Sequence, residues 1–277
     1  MNKMNKYKLS IFLSVFTMCI VLVIVLYPFI WLFLSSLKFE MDIVKFPPET
    51  LPERLTFSQY IRVWQKLPLL TMTRNTIIFS TMTTFTNCLL CAMGGYAFAR
   101  IFFKGKNIVF AFVLISMMVP FQVFMIPLYI IEYKIGILDS FLGLLLPRLT
   151  WPFGIYMLRS FFGSIPKSIE EAARIDGANE YVIFWRVMFP LCIPAVLTIG
   201  IMTLVNNWND LAYPLILTNS IQMRTLSVGL AMFVGQRVIE YGPTLAAAVV
   251  SLIPLMIVYV FLQKFFVRGV VMSGLKG

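Results

Sequence analysis

Residues 9–37 form an uncharged run, LSIFLSVFTMCIVLVIVLYPFIWLFLSSL, and this run decides the fold class. A helix rises about 1.5 Å per residue, so about 20 apolar residues cross the hydrocarbon core of a bilayer. The run exceeds that length, and its apolar residues are continuous instead of alternating as they would in a membrane β-strand. It is also longer than the apolar core of a cleaved signal peptide, and no small-residue cleavage site follows it. The stretch therefore predicts an uncleaved membrane-spanning helix.

Five further segments show the same pattern, and the third of them is interrupted only by Arg148. They are 75–99, 107–131, 140–158, 187–209 and 241–263. The composition agrees, because the 277 residues are 60% hydrophobic and 13% charged, whereas soluble domains carry about 25% charged residues. No internal repeat or low-complexity tract interrupts the chain. We therefore predict an all-α integral membrane protein in which residues 1–277 form a single transmembrane domain of six helices.

The charge distribution predicts the orientation in the membrane. With six spans both termini lie on one side, and an inner location of the termini places 13 Lys and Arg residues inside and 10 outside, against 4 acidic residues inside and 8 outside. Basic residues accumulate on the cytoplasmic side of membrane proteins. We therefore expect both termini in the cytoplasm. The net charge of +11 then reflects topology and contact with anionic lipid headgroups, not a nucleic-acid partner.

Prolines indicate that the third and fourth spans are not straight. Pro120 and Pro127 lie in the third, and Pro147 and Pro152 lie in the fourth. Proline removes a backbone donor and clashes with the preceding turn, so we expect kinks. Between the spans, two short helices are predicted: an amphipathic helix at the membrane interface over 56–64, and a surface or re-entrant helix over 225–236.

Several kinds of chemistry are excluded by missing residues. The sequence has no histidine, which removes His-based acid–base catalysis, Ser–His and Cys–His nucleophiles and most zinc sites. It contains no glycine-rich phosphate loop for ATP, and its spans lack a central carboxylate of the kind that proton-coupled transporters use. Cys88 and Cys91, in an apolar segment, are interpreted as packing residues. We therefore expect that the protein is not an enzyme and binds no cofactor. We expect its energy source to lie on a partner protein.

Residues 163–186 form a charged connection between the fourth and fifth spans, and residues 165–178 read IPKSIEEAARIDGA. Pro166 suits the first turn of a helix, Gly177 can adopt the left-handed conformation that ends one, and Asn179 can cap the next. Two pairs of opposite charge at i,i+4 spacing support a short exposed helix: Lys167 with Glu171 and Glu170 with Arg174. The pattern alone also fits an ordinary amphipathic connector.

This loop resembles the EAA loop of ATP-binding-cassette (ABC) importer permeases, which docks into the ATPase subunit. Other motifs resemble the carbohydrate-importer branch of that family, in the pattern of its maltose-type second permease. They are YAFAR (96–100), FGIYMLRSFF (153–162), FPL (189–191), WND (208–210), YPL (213–215), SVGL (227–230) and RGVVMSGLKG (268–277). The resemblance runs from about the first span to the last residue.

The resemblance implies the fold, the partners and the docking residues. It implies the core of a type I importer permease in a bacterial cytoplasmic membrane, with a second homologous permease, two ABC ATPase subunits, an extracytoplasmic solute-binding protein and a sugar substrate. Alternating access would be driven by the ATPases. The implied ATPase-docking residues are Glu170, Glu171, Ala172, Ala173, Asp176 and Gly177. A second contact with the ATPase would come from the tail residues Ser273, Gly274, Lys276 and Gly277, for which a frayed terminus is the alternative.

Polar residues near the outer end of the fifth span, together with Arg148, are candidates for the solute pathway: Arg148, Asn206, Asn207, Asn209 and Asp210. Planar polar side chains facing a cavity can bind a sugar. Hydrogen bonds to neighbouring helices explain the asparagines equally well, and an acid such as Asp210 could pair with Arg148.

The motifs do not identify the solute, so import of another solute such as glycerol phosphate remains an alternative. An ATP-independent secondary transporter is a more distant one, because it would show inverted repeats and carboxylates within the spans.

Overall fold

The computed structural model describes residues 3–234 and 240–274, and these residues form helices joined by loops, without a β-strand. The α-helices are α1 (Lys3–Ser36), α2 (Glu40–Ile43), α3 (Ser58–Lys66), α4 (Leu69–Arg100), α5 (Lys106–Met118), α6 (Phe121–Ile135), α7 (Phe141–Leu145), α8 (Pro152–Ser164), α9 (Lys167–Ile175), α10 (Glu180–Val182), α11 (Phe189–Asn209), α12 (Ala212–Leu217), α13 (Leu226–Val234) and α14 (Tyr241–Gly274). A 3₁₀ turn (Leu146–Arg148) follows α7, and a π-helix (Ile183–Met188) joins α10 to α11. The all-helical prediction is confirmed.

Three described helices are long and apolar enough to cross a membrane. They are the Ile11–Ser36 part of α1, all of α4, and the continuous helix Glu180–Asn209. The count rises to five if each of two bent helix pairs is one span. The last predicted span, 241–263, falls within α14, of which Tyr241–Ile257 forms a shorter apolar helix. The count of six spans therefore stays a prediction.

The two bent pairs coincide with the predicted third and fourth spans. Helices α5 and α6 meet at 102°, and Pro120 directly precedes α6. The residue before a proline is held in an extended conformation, and Val119 has ψ 119°, so the helix cannot continue through this point. The α7 segment with its 3₁₀ turn meets α8 at 41°, and Pro152 is the first residue of α8. In contrast, Pro127 lies inside α6.

One compact unit comprises the chain up to Leu67 together with Leu230–Ile253. Helix α3 confirms that a helix forms there, over Ser58–Lys66 instead of 56–64, and its Trp64 is exposed. Its location at the membrane interface stays a prediction. Charged groups fix the start of α14. Lys66 pairs with Glu240 at 2.5 Å, and the carboxylate of Glu40 accepts hydrogen bonds from the first two backbone N–H groups of α14 at 2.7 and 2.9 Å. A carboxylate at a helix N-terminus is stabilised by the helix dipole.

The second unit comprises Pro68–Gly229 with the chain from Pro254, and its core lies between α4, α8 and α11. Small residues bring these helices together. A Cβ atom added at Gly95 would lie 2.8 Å from the Cβ of Leu158, and one added at Gly154 would lie 3.0 Å from the Sγ of Cys91. Close approach through small residues is typical of membrane helix packing. Cys91 is fully buried in this core and unpaired, as the packing interpretation predicts.

Candidate functional site

Helix α9 forms where the sequence predicts it and ends as predicted. Gly177 has φ +81°, and the backbone N–H of Ala178 donates to the carbonyl of Ala173 at 3.0 Å. This i→i−5 bond with a left-handed glycine is the Schellman ending of a helix. The side chain of Asn179 then accepts a hydrogen bond from the N–H of Val182 at 2.9 Å and caps α10. The loop is therefore a folded helix–turn–helix.

A buried ion pair attaches α9 to the rest of the unit. The Nε of Arg100, the last residue of α4, lies 2.9 Å from the Oε1 of Glu170, and both side chains are about 95% buried. The same guanidinium donates to the carbonyls of Phe162 at 2.6 Å and of Ile165 at the end of α8. Burial raises the pKa of the Glu170 carboxyl, whereas the nearby Arg100 and Arg174 guanidinium groups lower it. The three helix ends are thus joined at one arginine.

The outer side of the turn is held by a weaker, exposed network. Arg174 pairs with Glu180 at 2.7 Å and lies 3.7 Å from Glu170, so the predicted Glu170–Arg174 pair is present. The hydroxyl of Tyr96 donates to the other carboxylate oxygen of Glu180 at 3.0 Å. The second predicted pair, Lys167 with Glu171, does not form an ion pair in the part of the chain that the structure describes. Exposed pairs of this kind contribute little to stability.

The six predicted docking residues divide into two groups. The side chain of Glu170 points inward, and Ala173 packs against the core between α4, α8 and α11. The other four are exposed: Glu171, Ala172, Asp176 and Gly177. Two residues of this site, Arg100 and Ile175, were not predicted from the sequence; Ile175 is 86% exposed at the end of α9. Arg100 directly follows the charge-free segment 75–99, which was the available signal for its role. The docking role stays a prediction.

The structure brings three of the five predicted pathway residues together around Arg148. Its guanidinium pairs with Asp210, donates to the Oδ1 of Asn207 at 3.2 Å and lies 4.4 Å from the ring centre of Tyr213. Asp210 also accepts from the N–H of Tyr213 at 3.2 Å. These contacts are the structural pairing that the sequence analysis left open, and they join the 3₁₀ turn to the ends of α11 and α12.

The remaining predicted residues lie apart from that cluster. Asn206 and Asn209 are exposed, and the amide of Asn209 donates to the carbonyl of Val205 in its own helix at 3.0 Å. Of the tail, Ser273 and Gly274 are the last residues of α14, whereas Lys276 and Gly277 lie outside the described residues.

Comparison with known proteins identifies relatives along almost the whole chain. The chain is 31% identical over 261 residues to the arabinooligosaccharides transport system permease protein AraQ of Halalkalibacterium halodurans, covering 92% of each protein. It is 34% identical over 256 residues to the trehalose transport system permease protein SugB of Mycobacterium tuberculosis, covering 91% of this chain and 93% of SugB. The trehalose/maltose transport system permease protein MalG of Thermococcus litoralis is 31% identical over 262 residues, with 92% and 93% covered.

A solved structure and a family match agree with these relatives. A chain in the crystal structure of a bacterial ABC transporter involved in the import of the acidic polysaccharide alginate superposes with a TM-score of 0.78 at 26% identity, covering 96% of this chain and 99% of that one. Residues 89–272, which include α9 and the cluster around Arg148, match the binding-protein-dependent transport system inner membrane component family. The chain therefore belongs to the family of inner-membrane components of binding-protein-dependent transport systems.

Proposed function

We propose that the chain is the membrane-spanning permease subunit of an ABC importer that moves a carbohydrate into the bacterial cytoplasm. The observation that carries the proposal is the family match together with an exposed helix, α9, that is fixed to the membrane helices by the buried pair between Arg100 and Glu170. The carbohydrate class rests on the relatives, whose names specify arabinooligosaccharides, trehalose and maltose.

The proposed assembly contains the partners that such a permease requires. They are a second homologous permease, two ABC ATPase subunits that hydrolyse ATP, and an extracytoplasmic solute-binding protein. The chain crosses the membrane six times with both termini in the cytoplasm, and it is not itself an enzyme. Helix α9 and the turn after it, residues 176–179, would lie on the cytoplasmic side, where the ATPase binds.

The geometry supports different roles for different residues of α9 and of the turn that follows it. Glu171, Ala172, Asp176 and Gly177 present side chains or backbone to solvent and would contact the ATPase, whereas Glu170 holds the helix from behind. Because Arg100 also binds the end of α8, a displacement of α9 reaches α4 and α8 together. Coupling of this kind needs two discrete arrangements of the permease whose balance the ATPases shift. We propose the tail residues from Ser273 to Gly277 as a second contact with the ATPase.

The five polar residues of the proposed pathway differ in whether their side chains are already engaged in contacts with other residues. The groups of Arg148, Asn207 and Asp210 are engaged with one another and with Tyr213. Asn206 and Asn209 are exposed. We therefore assign solute contact to Asn206 and Asn209, and a role in holding the pathway in shape to the other three.

The test combines purification with transport. The chain is isolated from its native membrane in mild detergent, and co-purifying proteins are identified by mass spectrometry and assayed for ATPase activity. We expect a second permease and an ATPase, with ATP-dependent uptake of labelled oligosaccharides in reconstituted vesicles. Glu171→Lys should abolish uptake while membrane insertion is normal, whereas the control Glu53→Lys, a charge reversal at an exposed site far along the chain, should not. A stable chain that transports without ATP would refute the proposal.

A further inference from the structure

A basic cavity lies beside the attachment of α9. It has a volume of about 830 Å³ and is formed by the end of α4, the loop 101–105, the start of α5 and the second half of α8. Three cationic side chains line it, those of Lys104, Lys106 and Arg159, and no carboxylate does. The cavity therefore has a strongly positive interior at the end of the helices where α9 is attached.

The charges of these three residues are not neutralised within the described chain. Arg159 donates through Nε to the carbonyl of Phe98 at 3.3 Å, and its guanidinium carbon lies 3.8 Å from the ring centre of Phe110. Lys106 donates to the carbonyl of Ile101 at 2.9 Å. The ion pairs of the described residues include none of the three cations. Like charges around one cavity repel each other, so an anion inside it lowers the electrostatic energy.

An apolar groove continues from this cavity along α5. A second cavity of about 320 Å³ shares Asn107 and Ile108 with the first and extends over Ala111, Phe112 and Ile115. From Ile108 onwards these residues follow the i, i+3, i+4, i+7 spacing that forms one face of a helix. Ile108 and Phe112 are 65% and 67% exposed. A small anion would use only the basic cavity, so the adjoining groove points to a ligand with an anionic head and a hydrocarbon chain.

We propose that the basic cavity binds the headgroup of an anionic phospholipid, with one acyl chain lying in the groove along α5. The phosphate contacts Lys104, Lys106 and Arg159, and the chain covers the exposed faces of Ile108 and Phe112. That this lipid belongs to the cytoplasmic leaflet rests on the proposed function, in which α9 faces the cytoplasm. The lipid would then occupy the space beside the helix end that Arg100 fixes to α9.

The experiment measures lipid binding to the full purified chain by native mass spectrometry. Phosphatidylglycerol and phosphatidylcholine with identical acyl chains are titrated against the wild-type protein and against Lys104→Gln/Lys106→Gln. Each basic residue near anionic lipid contributes about a factor of five in affinity, so the double variant should bind phosphatidylglycerol roughly 25-fold more weakly. The matched control Arg62→Gln/Lys134→Gln removes two exposed cations elsewhere and should change binding less than about twofold.

Two further arms separate the remaining explanations. Lys104→Arg/Lys106→Arg keeps the charge and should retain binding, which excludes misfolding as the cause of the loss. Soluble glycerol phosphate should not displace the bound lipid, and Phe112→Ser should weaken lipid binding severalfold. Equal binding of both lipids, equal loss in both glutamine variants, or displacement by glycerol phosphate would overturn the proposal. These measurements do not involve transport, so their failure leaves the proposed import function untouched.

Discussion

Replacing Glu170 by glutamine should loosen α9 from the membrane helices without removing the helix itself. The substitution keeps the size of the side chain and removes the charge that faces Arg100 at 2.9 Å. Arg100 would keep its bonds to the carbonyls of Phe162 and Ile165, but its charge would be buried without a counterion. The end of α9 at Gly177 and the cap of α10 at Asn179 are untouched. The predicted change is therefore local.

The size of the effect follows from the burial of the pair. Removing one partner of a buried ion pair costs about 3–5 kcal/mol, and the low end applies because Arg100 keeps its carbonyl partners. A loss of about 3 kcal/mol in the opening free energy of α9 corresponds to roughly 150-fold faster exchange of its protected amides. The Glu170–Arg174 contact is much weaker, since the side chain of Arg174 is 44% exposed and lies 3.7 Å away. Arg174→Gln should accelerate exchange less than about fivefold.

Hydrogen–deuterium exchange with mass spectrometry on the purified full chain measures this directly, in peptides that cover residues 165–180. The informative amide is that of Ala178, which bonds to Ala173 in the helix ending. In Arg100→Gln/Glu170→Gln the loss should be smaller than the sum of the two single losses, as expected for groups in contact. Unchanged exchange in Glu170→Gln, or equal acceleration in Glu170→Gln and Arg174→Gln, would refute the anchoring role of Arg100.

Five other substitutions test three separate parts of the structure, through the melting midpoint of the purified chain or through solute affinity. Gly177→Ala, at φ +81°, should destabilise the turn by about 1 kcal/mol. Gly163→Ala lies in open space inside α8 and should stabilise the folded chain by about 0.5–1 kcal/mol. Equal shifts of the melting midpoint in the two variants would contradict the turn geometry. Glu132→Gln should raise the melting midpoint, because both carboxylate oxygens are buried without a hydrogen-bond partner in the described residues, and a fall would show that a carboxylate is required there. Arg148→Ala should lower the melting midpoint and leave solute affinity unchanged, whereas Asn209→Ala should lower solute affinity alone; the reverse pattern would assign solute contact to Arg148.

The sequence predicts the helical class and the position of α9 because both depend on local rules. In a bilayer the backbone polar groups of a long charge-free run are satisfied within a helix. Residues 166–177 contain a helix start at Pro166, the Glu170–Arg174 charge pair and a helix end at Gly177. The angle between α5 and α6 cannot be predicted from such local rules. Pro120 and Pro127 offer the same chemistry in one segment, yet the chain breaks before the first and forms a helix through the second. Which proline becomes a break depends on packing against other helices.

The candidate site shows the same limit in its side chains. Glu170 and Glu171 are adjacent and equivalent in the motif, but only Glu170 turns inward, because Arg100 lies on that side of the folded unit. That contact joins residues 70 positions apart, so no local pattern reveals it. The pairing of Arg148 with Asp210 was foreseen as an alternative, since a cation within an apolar segment needs an acidic partner. The roles assigned to the three asparagines depend on which side of α11 each of them faces.

The absence of free space at Gly95 has a mechanical consequence. Because even one added carbon atom would collide with Leu158 there, a larger residue at position 95 would have to push α4 and α8 apart. Arg100 binds Glu170 of α9 at the end of these two helices. Such a substitution would also displace Arg100, five residues further along α4, and with it the buried pair that holds α9.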